Sequence, residues 1–115
     1  MGIHCSIGDY CHITCINEIT IGDNFLTGRW GTITDNSHDF NNYEVLSQSP
    51  INRKLYSKEK VKIDDNVWIG DKATILPGVT IGNNSVIASN SVVTKDISTF
   101  CVAVGNPARI IKSFI

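Results

Sequence analysis

The 115-residue sequence predicts an all-β fold, a parallel β-helix, and three observations carry the prediction. Aliphatic residues recur at a strict period of six at Ile63, Ile69, Ile75, Ile81, Ile87 and Val93. Four positions after each stand Val67, Ala73, Val79, Ser85, Ser91 and Ile97, all small or aliphatic. Three positions after each stand Asn66, Lys72, Gly78, Asn84, Asn90 and Asp96. Asn and Gly dominate this last set because they enter the left-handed backbone region at least cost. A period of six fits neither an amphipathic helix nor a simple alternating strand. Each unit therefore reads as a short strand and a tight turn, with one aliphatic pointing inward. Three units close a triangular coil, and stacked coils share a column of aliphatics in which each coil contacts only its neighbours.

The elements follow in chain order. Ile7-Gly8-Asp9-Tyr10-Cys11 begins the code, and Ile13 continues it. The step from Ile13 to Ile21 is eight residues, so a two-residue insertion is expected near Cys15 to Ile19. Ile21-Gly22-Asp23-Asn24-Phe25 restores the register, and Thr27-Gly28 and Ile33-Thr34 carry it on. From Asp35 to Lys60 the code is absent and Ser, Asn, Lys, Tyr and His dominate. A segment this long inside a repeat is usually functional or disordered, and it reads as an excursion from one corner of the coil, about 35–60. Ile63 to Ser98 supplies two full coils, and a short C-terminal tail spans about 105–115. The whole of 1–115 is expected to be a single domain, without long amphipathic helices.

Composition excludes several classes. Ten Lys and Arg stand against eleven Asp and Glu, a net charge of −1, and nucleic-acid binding needs a basic surplus. The chain holds neither an apolar run long enough to span a bilayer nor a basic-then-apolar leader, so a soluble, cytoplasmic protein is expected. A chain this short buries a modest share of its surface, which favours oligomerisation. The cysteines, Cys5, Cys11, Cys15 and Cys101, form no C-x2-C pair and read as reduced small core residues.

Three runs of residues then carry a family resemblance. Val67-Trp68-Ile69-Gly70, Pro77-Gly78-Val79-Thr80-Ile81-Gly82 and Ser91-Val92-Val93-Thr94-Lys95-Asp96 resemble the hexapeptide-repeat acetyltransferases, as does the close Gly105-Asn106-Pro107-Ala108-Arg109-Ile110-Ile111-Lys112. The similarity is greatest to the maltose and galactoside O-acetyltransferases and the polysaccharide-modifying acetyltransferases. It implies a left-handed β-helix, an exception to the right-handed crossover rule. It also implies acetyl-CoA as donor and a homotrimer whose active sites lie between neighbouring subunits. The chain departs from the family's usual form by opening almost directly in the repeat. The family's C-terminal helix is reduced to about Ala108 to Ile115.

Acyl transfer to a hydroxyl needs a base for the proton, donors for the oxyanion and a site for the CoA phosphates. Of His4, His12 and His38, the last stands in Thr34-Asp35-Asn36-Ser37-His38-Asp39-Phe40, which matches the family's Asp-Asn-x-His segment. That makes His38 the expected general base. Asp35, Asn36 or Asp39 would orient its ring, and Asn36 has two further readings, contact with the acceptor or setting the turn. For CoA, the resemblance carries over Ser89, Thr94, Lys95, Arg109 and Lys112. Backbone amides near Gly70, Ala88 and Ser89 could bind extended pantetheine, and Lys95, Arg109 and Lys112 supply positive charge for the phosphates. Trp68 and Trp30 are candidates for the acceptor pocket or a subunit interface. The basic run Arg53, Lys54, Lys58, Lys60 and Lys62 reads as solvated surface.

The expected activity is transfer of acetyl from acetyl-CoA to a hydroxyl of a sugar or glycan. An N-acetyltransferase acting on an amino sugar or nucleotide sugar shares fold and donor, and a non-catalytic β-helix scaffold is the alternative of another class. No metal is expected, because the spacing of the three histidines does not suit a zinc site of the γ-carbonic-anhydrase kind.

Overall fold

A computed structural model describes residues 1–57 and 59–115, so Lys58 of the basic run lies outside the described residues. The strands are β1 (Ser6–Ile7), β2 (His12–Thr14), β3 (Ile19–Ile21), β4 (Leu26–Thr27), β5 (Thr32–Thr34), β6 (Ser37–His38), β7 (Leu55–Tyr56) and β8 (Val61–Ile63). They continue as β9 (Trp68–Ile69), β10 (Thr74–Ile75), β11 (Thr80–Ile81), β12 (Val86–Ile87), β13 (Val92–Val93), β14 (Cys101–Gly105) and β15 (Ala108–Ser113). Three sheets wrap one column as a left-handed parallel β-helix. Sheet A runs β1-β4-β9-β12-β14-β15, sheet B β13-β10-β5-β2 and sheet C β11-β8-β3.

The six-residue code explains this register. Ile69 lies against Thr27 and Ile87 in sheet A, Ile75 against Ile33 and Val93 in sheet B, and Ile63 against Ile21 and Ile81 in sheet C. All of these column residues are buried. Their neighbours in sequence turn outward, because successive side chains of a strand face opposite ways. Ser85 and Ser91, buried in the coil, tie it to the last turn. The Ser85 hydroxyl donates to the Ser98 carbonyl at 2.8 Å, and Ser91 Oγ accepts from the Gly105 N–H at 3.0 Å.

The turn positions behave as the code requires. Asn66, Lys72, Gly78, Asn84 and Asn90 all have positive φ, as do Tyr10, Asn24 and Trp30 upstream. Lys72, at φ 59°, has neither the freedom of glycine nor the local hydrogen bonding of asparagine. Lys72→Asn is therefore expected to raise stability by about 0.5–1 kcal/mol, read as a higher midpoint in urea.

Asp96 departs from the expectation. It is absent from the positive-φ residues, because Ile97 sits in the column itself, bridged to Ile81 in sheet C. The coil has closed two residues early. This places a rule on the architecture. Each A-to-B and C-to-A corner takes six residues from one column position to the next, as in Ile7 to Ile13 or Ile63 to Ile69. The B-to-C corners take eight (Ile13 to Ile21), thirty (Ile33 to Ile63), six (Ile75 to Ile81) and four (Val93 to Ile97). All the irregularity falls on one edge of the prism.

The thirty-residue corner is the excursion. β6 pairs antiparallel with β7, and between them lie a four-residue helix, α1 (Tyr43–Leu46), and a 3-10 turn at Pro50–Asn52. The C-terminal segment corrects the expectation of a tail or reduced helix: β15 turns back antiparallel on β14. Alternation explains this, since Cys101 and Ala103 still fill column positions and Gly105, at φ 111°, lets the chain reverse. Cys15 is exposed rather than part of the core, because it stands in the widened corner, outside the column. Among the described residues no helix is long and apolar enough to cross a membrane.

Candidate active site

The B-to-C edge concentrates the chemistry. Asp35 follows β5 as the chain leaves the coil, and it is fully buried. Its carboxylate accepts from the backbone N–H of Ile16 at 2.9 Å and from those of Asn17 and Glu18 at 2.8 Å each. These three amides belong to the eight-residue corner one coil earlier, where the widening leaves them without ladder partners. The Cys15 thiol and the Asn36 amide also donate to Asp35. Burial alone would raise its pKa, but the donors (Asn36, then the amides of Ile16 and Asn17) outweigh it and hold the carboxyl down at about 2. Asp35 is thus a latch for the insertion. It does not bond to His38, which corrects the expectation that it could orient the ring.

That latch fixes Asn36. Its Nδ2 donates to Asp35 Oδ1 at 2.9 Å and lies 3.3 Å from the Thr14 carbonyl. An ionised carboxylate only accepts, so the amide orientation is determined, with Nδ2 toward Asp35 and Thr14. Asn36 lines a groove of about 600 Å³ with Thr34, Ser37, Phe40, Asn41, Tyr56, Leu76, Pro77 and Thr94. The excursion forms one wall of this groove, and the corners after β10 and β13 form the other.

His38 follows Ser37 on β6 and does not line that groove, since neighbouring strand residues face opposite ways. Its ring is exposed, and Nδ1 lies 2.9 Å from the Arg53 carbonyl oxygen. A carbonyl only accepts, so the neutral ring carries its hydrogen on Nδ1 and presents the Nε2 lone pair outward. Of the three residues expected to orient this ring, none bonds to it: Asp35 and Asn36 are engaged as above, and Asp39 Oδ1 accepts from Asn41.

The other expected residues are distributed around the prism. Thr94 and Lys95 share the B-to-C edge, and Thr94 meets Asn36 in the groove. Gly70, Ala88 and Ser89 lie at A-to-B corners instead. Gly70 N–H donates to the Ile87 carbonyl and Ala88 N–H to that of Ala103, so both amides belong to the ladder. A Cβ on Gly70 would come within 2.6 Å of the Ser89 backbone nitrogen, which shows that the glycine serves coil stacking. These two amides are therefore not free for pantetheine, a correction that follows from the parallel ladder itself. Trp30 is 58% exposed at an A-to-B corner and stacks on Tyr10, ring centroids 4.6 Å apart. Trp68 is 54% exposed and stands on the outer face of sheet A beside Leu26 and Val86. One chain does not bring either tryptophan to the groove. Arg109 and Lys112 are exposed on β15, with the Lys112 ammonium 4.9 Å from the Phe114 ring centroid.

Sequence reasoning missed Phe40, Tyr56, Leu76, Pro77 and Arg53. Leu76 carried a signal, since it is a leucine where equivalent corners have Gly70, Gly82 and Ala88. Arg53, assigned to a solvated surface, is instead half-buried and hydrogen-bonded through its guanidinium.

Comparison with known proteins agrees with the fold. The family model described as bacterial transferase hexapeptide (six repeats) matches residues 60–95. Galactoside O-acetyltransferase of Escherichia coli (strain K12) is 43% identical over 103 residues, 88% of this chain and 48% of its own. A solved galactoside acetyltransferase in complex with coenzyme A has a TM-score of 0.80 at 38% identity, covering 95% of this chain and 55% of that one. A maltose O-acetyltransferase from Clostridium difficile 630 has a TM-score of 0.67 at 32% identity, covering 100% of this chain and 69% of that one. The chain spans about half the length of the curated relatives it matches.

Proposed function

We propose, for a chain that belongs to the hexapeptide-repeat acetyltransferase family, that it moves the acetyl group of acetyl-CoA to a hydroxyl of a sugar or glycan. The observation that carries the reading is the His38 ring, held through Nδ1 with Nε2 free to accept a proton. Nε2 takes the proton of the acceptor hydroxyl as its oxygen attacks the thioester carbonyl. The tetrahedral intermediate collapses with cleavage of the C–S bond, and the proton passes from Nε2 to the leaving CoA sulfur. Binding of the donor falls to Ser89, Thr94, Lys95, Arg109 and Lys112. The cations meet phosphate charge and the two hydroxyls offer hydrogen bonds. The groove of Asn36, with Phe40, Tyr56, Leu76 and Pro77 as its apolar wall, would hold the part of the acceptor remote from the reacting hydroxyl, which itself must reach His38 outside the groove.

The assembly is part of the proposal. His38 and Thr94 lie on one edge while Trp68 and Ser89 lie on another face and corner, so a single chain leaves the set divided. The excursion also leaves Phe40, Tyr43, Leu46, Ile51, Leu55 and Tyr56 exposed. A homotrimer that seats the excursion of one chain against a neighbour covers these side chains and supplies the missing wall. We place the reaction in the cytoplasm, the reading that an acetyl-CoA donor supports.

The test is CoA thiol release from acetyl-CoA across a panel of mono- and oligosaccharides, with the mass in solution measured in parallel. Release with hydroxyl acceptors and a mass three times that of one chain are expected. Release only with amino sugars would replace the O-transfer reading by N-transfer, and a stable active monomer would remove the shared site.

A further inference from the structure

We infer that Arg53 is the positioning residue of the general base, gripping the excursion with its side chain while its own carbonyl holds the His38 ring; the inference rests on the reading of His38 above. The problem it answers is physical. His38 is exposed on a two-residue strand, and no residue of the excursion between Asn36 and Ser57 belongs to the buried apolar column. Packing does not fix this imidazole, so hydrogen bonding must.

Among the described residues the ring has one such bond, Nδ1 to the Arg53 carbonyl at 2.9 Å. Arg53 lies just before the return strand β7, where Asp39 N–H bonds to the Lys54 carbonyl at 2.9 Å and continues the hairpin. What places the carbonyl is the other end of the same residue. The guanidinium reaches back over the turn and donates through Nη2 to the Leu46 carbonyl at 2.8 Å and the Gln48 carbonyl at 3.1 Å. Its Nε donates to the Gln48 carbonyl as well, at 3.2 Å. Leu46 closes α1 and Gln48 lies just beyond it; Ser47 and Gln48 already donate to the Tyr43, Glu44 and Val45 carbonyls, so the fork takes the last helical carbonyl, that of Leu46, and the first one past it. A planar fork suits two carbonyls at a fixed angle, which a lysine ammonium does not reproduce.

Loss of the fork frees the turn of residues 46–53 and with it the carbonyl that faces His38. The ring then exchanges its partner for water, and the hydrogen distributes between Nδ1 and Nε2. The Nε2–H form cannot accept a proton.

The experiment compares wild type with Arg53→Ala and Arg53→Lys by nitrogen-detected NMR of the imidazoles, assigning His38 with His38→Gln, and by kcat and KM for acetyl-CoA. Wild type is expected in the Nδ1–H form and Arg53→Ala as a mixture. In Arg53→Ala kcat should fall roughly ten-fold at unchanged KM. Arg53→Lys should recover little of it, and added methylguanidinium should restore part of it. A His38 tautomer identical in wild type and Arg53→Ala overturns the inference, whatever kcat does. Retained activity in His38→Ala would sink the general-base reading instead, and the NMR comparison would still decide the hold of Arg53 on the ring. Where the alanine variant fails to fold, Arg53→Gln, which keeps a donor but not the fork, carries the same comparison.

Discussion

Replacing His38 by alanine is expected to lower kcat for acetyl transfer by about a hundred- to ten-thousand-fold, with KM for acetyl-CoA little changed. The size follows from the role. A hydroxyl oxygen attacking a thioester gains positive charge as the new bond forms, and without a base it must lose its proton to water. His38 Nε2 is free because Nδ1 is spent on the Arg53 carbonyl, so removing the ring removes the acceptor and leaves donor binding intact. Proximity of bound donor and acceptor accounts for the residual rate. Initial rates of CoA release at saturating acetyl-CoA measure the effect. A kcat within a few-fold of wild type would assign the proton to another group.

Asp35→Ala is expected to cost about 3–5 kcal/mol in a denaturant titration at neutral pH, since three backbone amides lose a charged acceptor at once. Asp35→Asn should cost less, because the amide retains one oxygen for them. The same carboxylate gives the protein an acid-sensitive component. Its folded pKa of about 2 lies below the ordinary 3.8, so the folded state binds this proton more weakly than the unfolded state. The stabilisation is complete above 3.8 and is lost as pH falls toward 2. The stability gap between wild type and Asp35→Ala should therefore narrow across that interval. A gap constant over it would show that the ionised carboxylate is not what holds the corner. Asn36 leans on the same group, so the alanine variant should also weaken acceptor binding in the groove.

The column was legible because a six-residue repetition survives any substitution that keeps an aliphatic inward. Ile63 through Val93 needed no tertiary information, and the turn positions declared themselves through Asn and Gly. Lys72 and Trp30 obey the same rule without the residue preference, since the coil forces positive φ on whatever stands there. Ile97 was misplaced because a coil that closes two residues early looks, in sequence, like a coil still in phase. The candidate site was half legible. His38 and Asn36 stand in a short motif, but the latch joins Asp35 to Ile16, Asn17 and Glu18 across seventeen to nineteen residues. Arg53 reaches His38 across fifteen. Such bonds leave no local signature, and the backbone carbonyl that holds the ring has no residue identity to read.

The restriction of all length variation to the B-to-C edge turns the stack into a ruler. Thr34, Leu76 with Pro77, and Thr94 leave sheet B one coil apart, so each step along the groove is fixed by the strand spacing of about 4.8 Å. A ligand lying along that edge is measured in whole coils. Deleting the eighteen residues from Leu76 to Val93 would leave every remaining strand a partner of the right kind, yet carry Thr94 one increment closer to Asn36. Reach along this edge is digital, whereas the loops that rise from it can be lengthened or shortened freely without disturbing the column beneath.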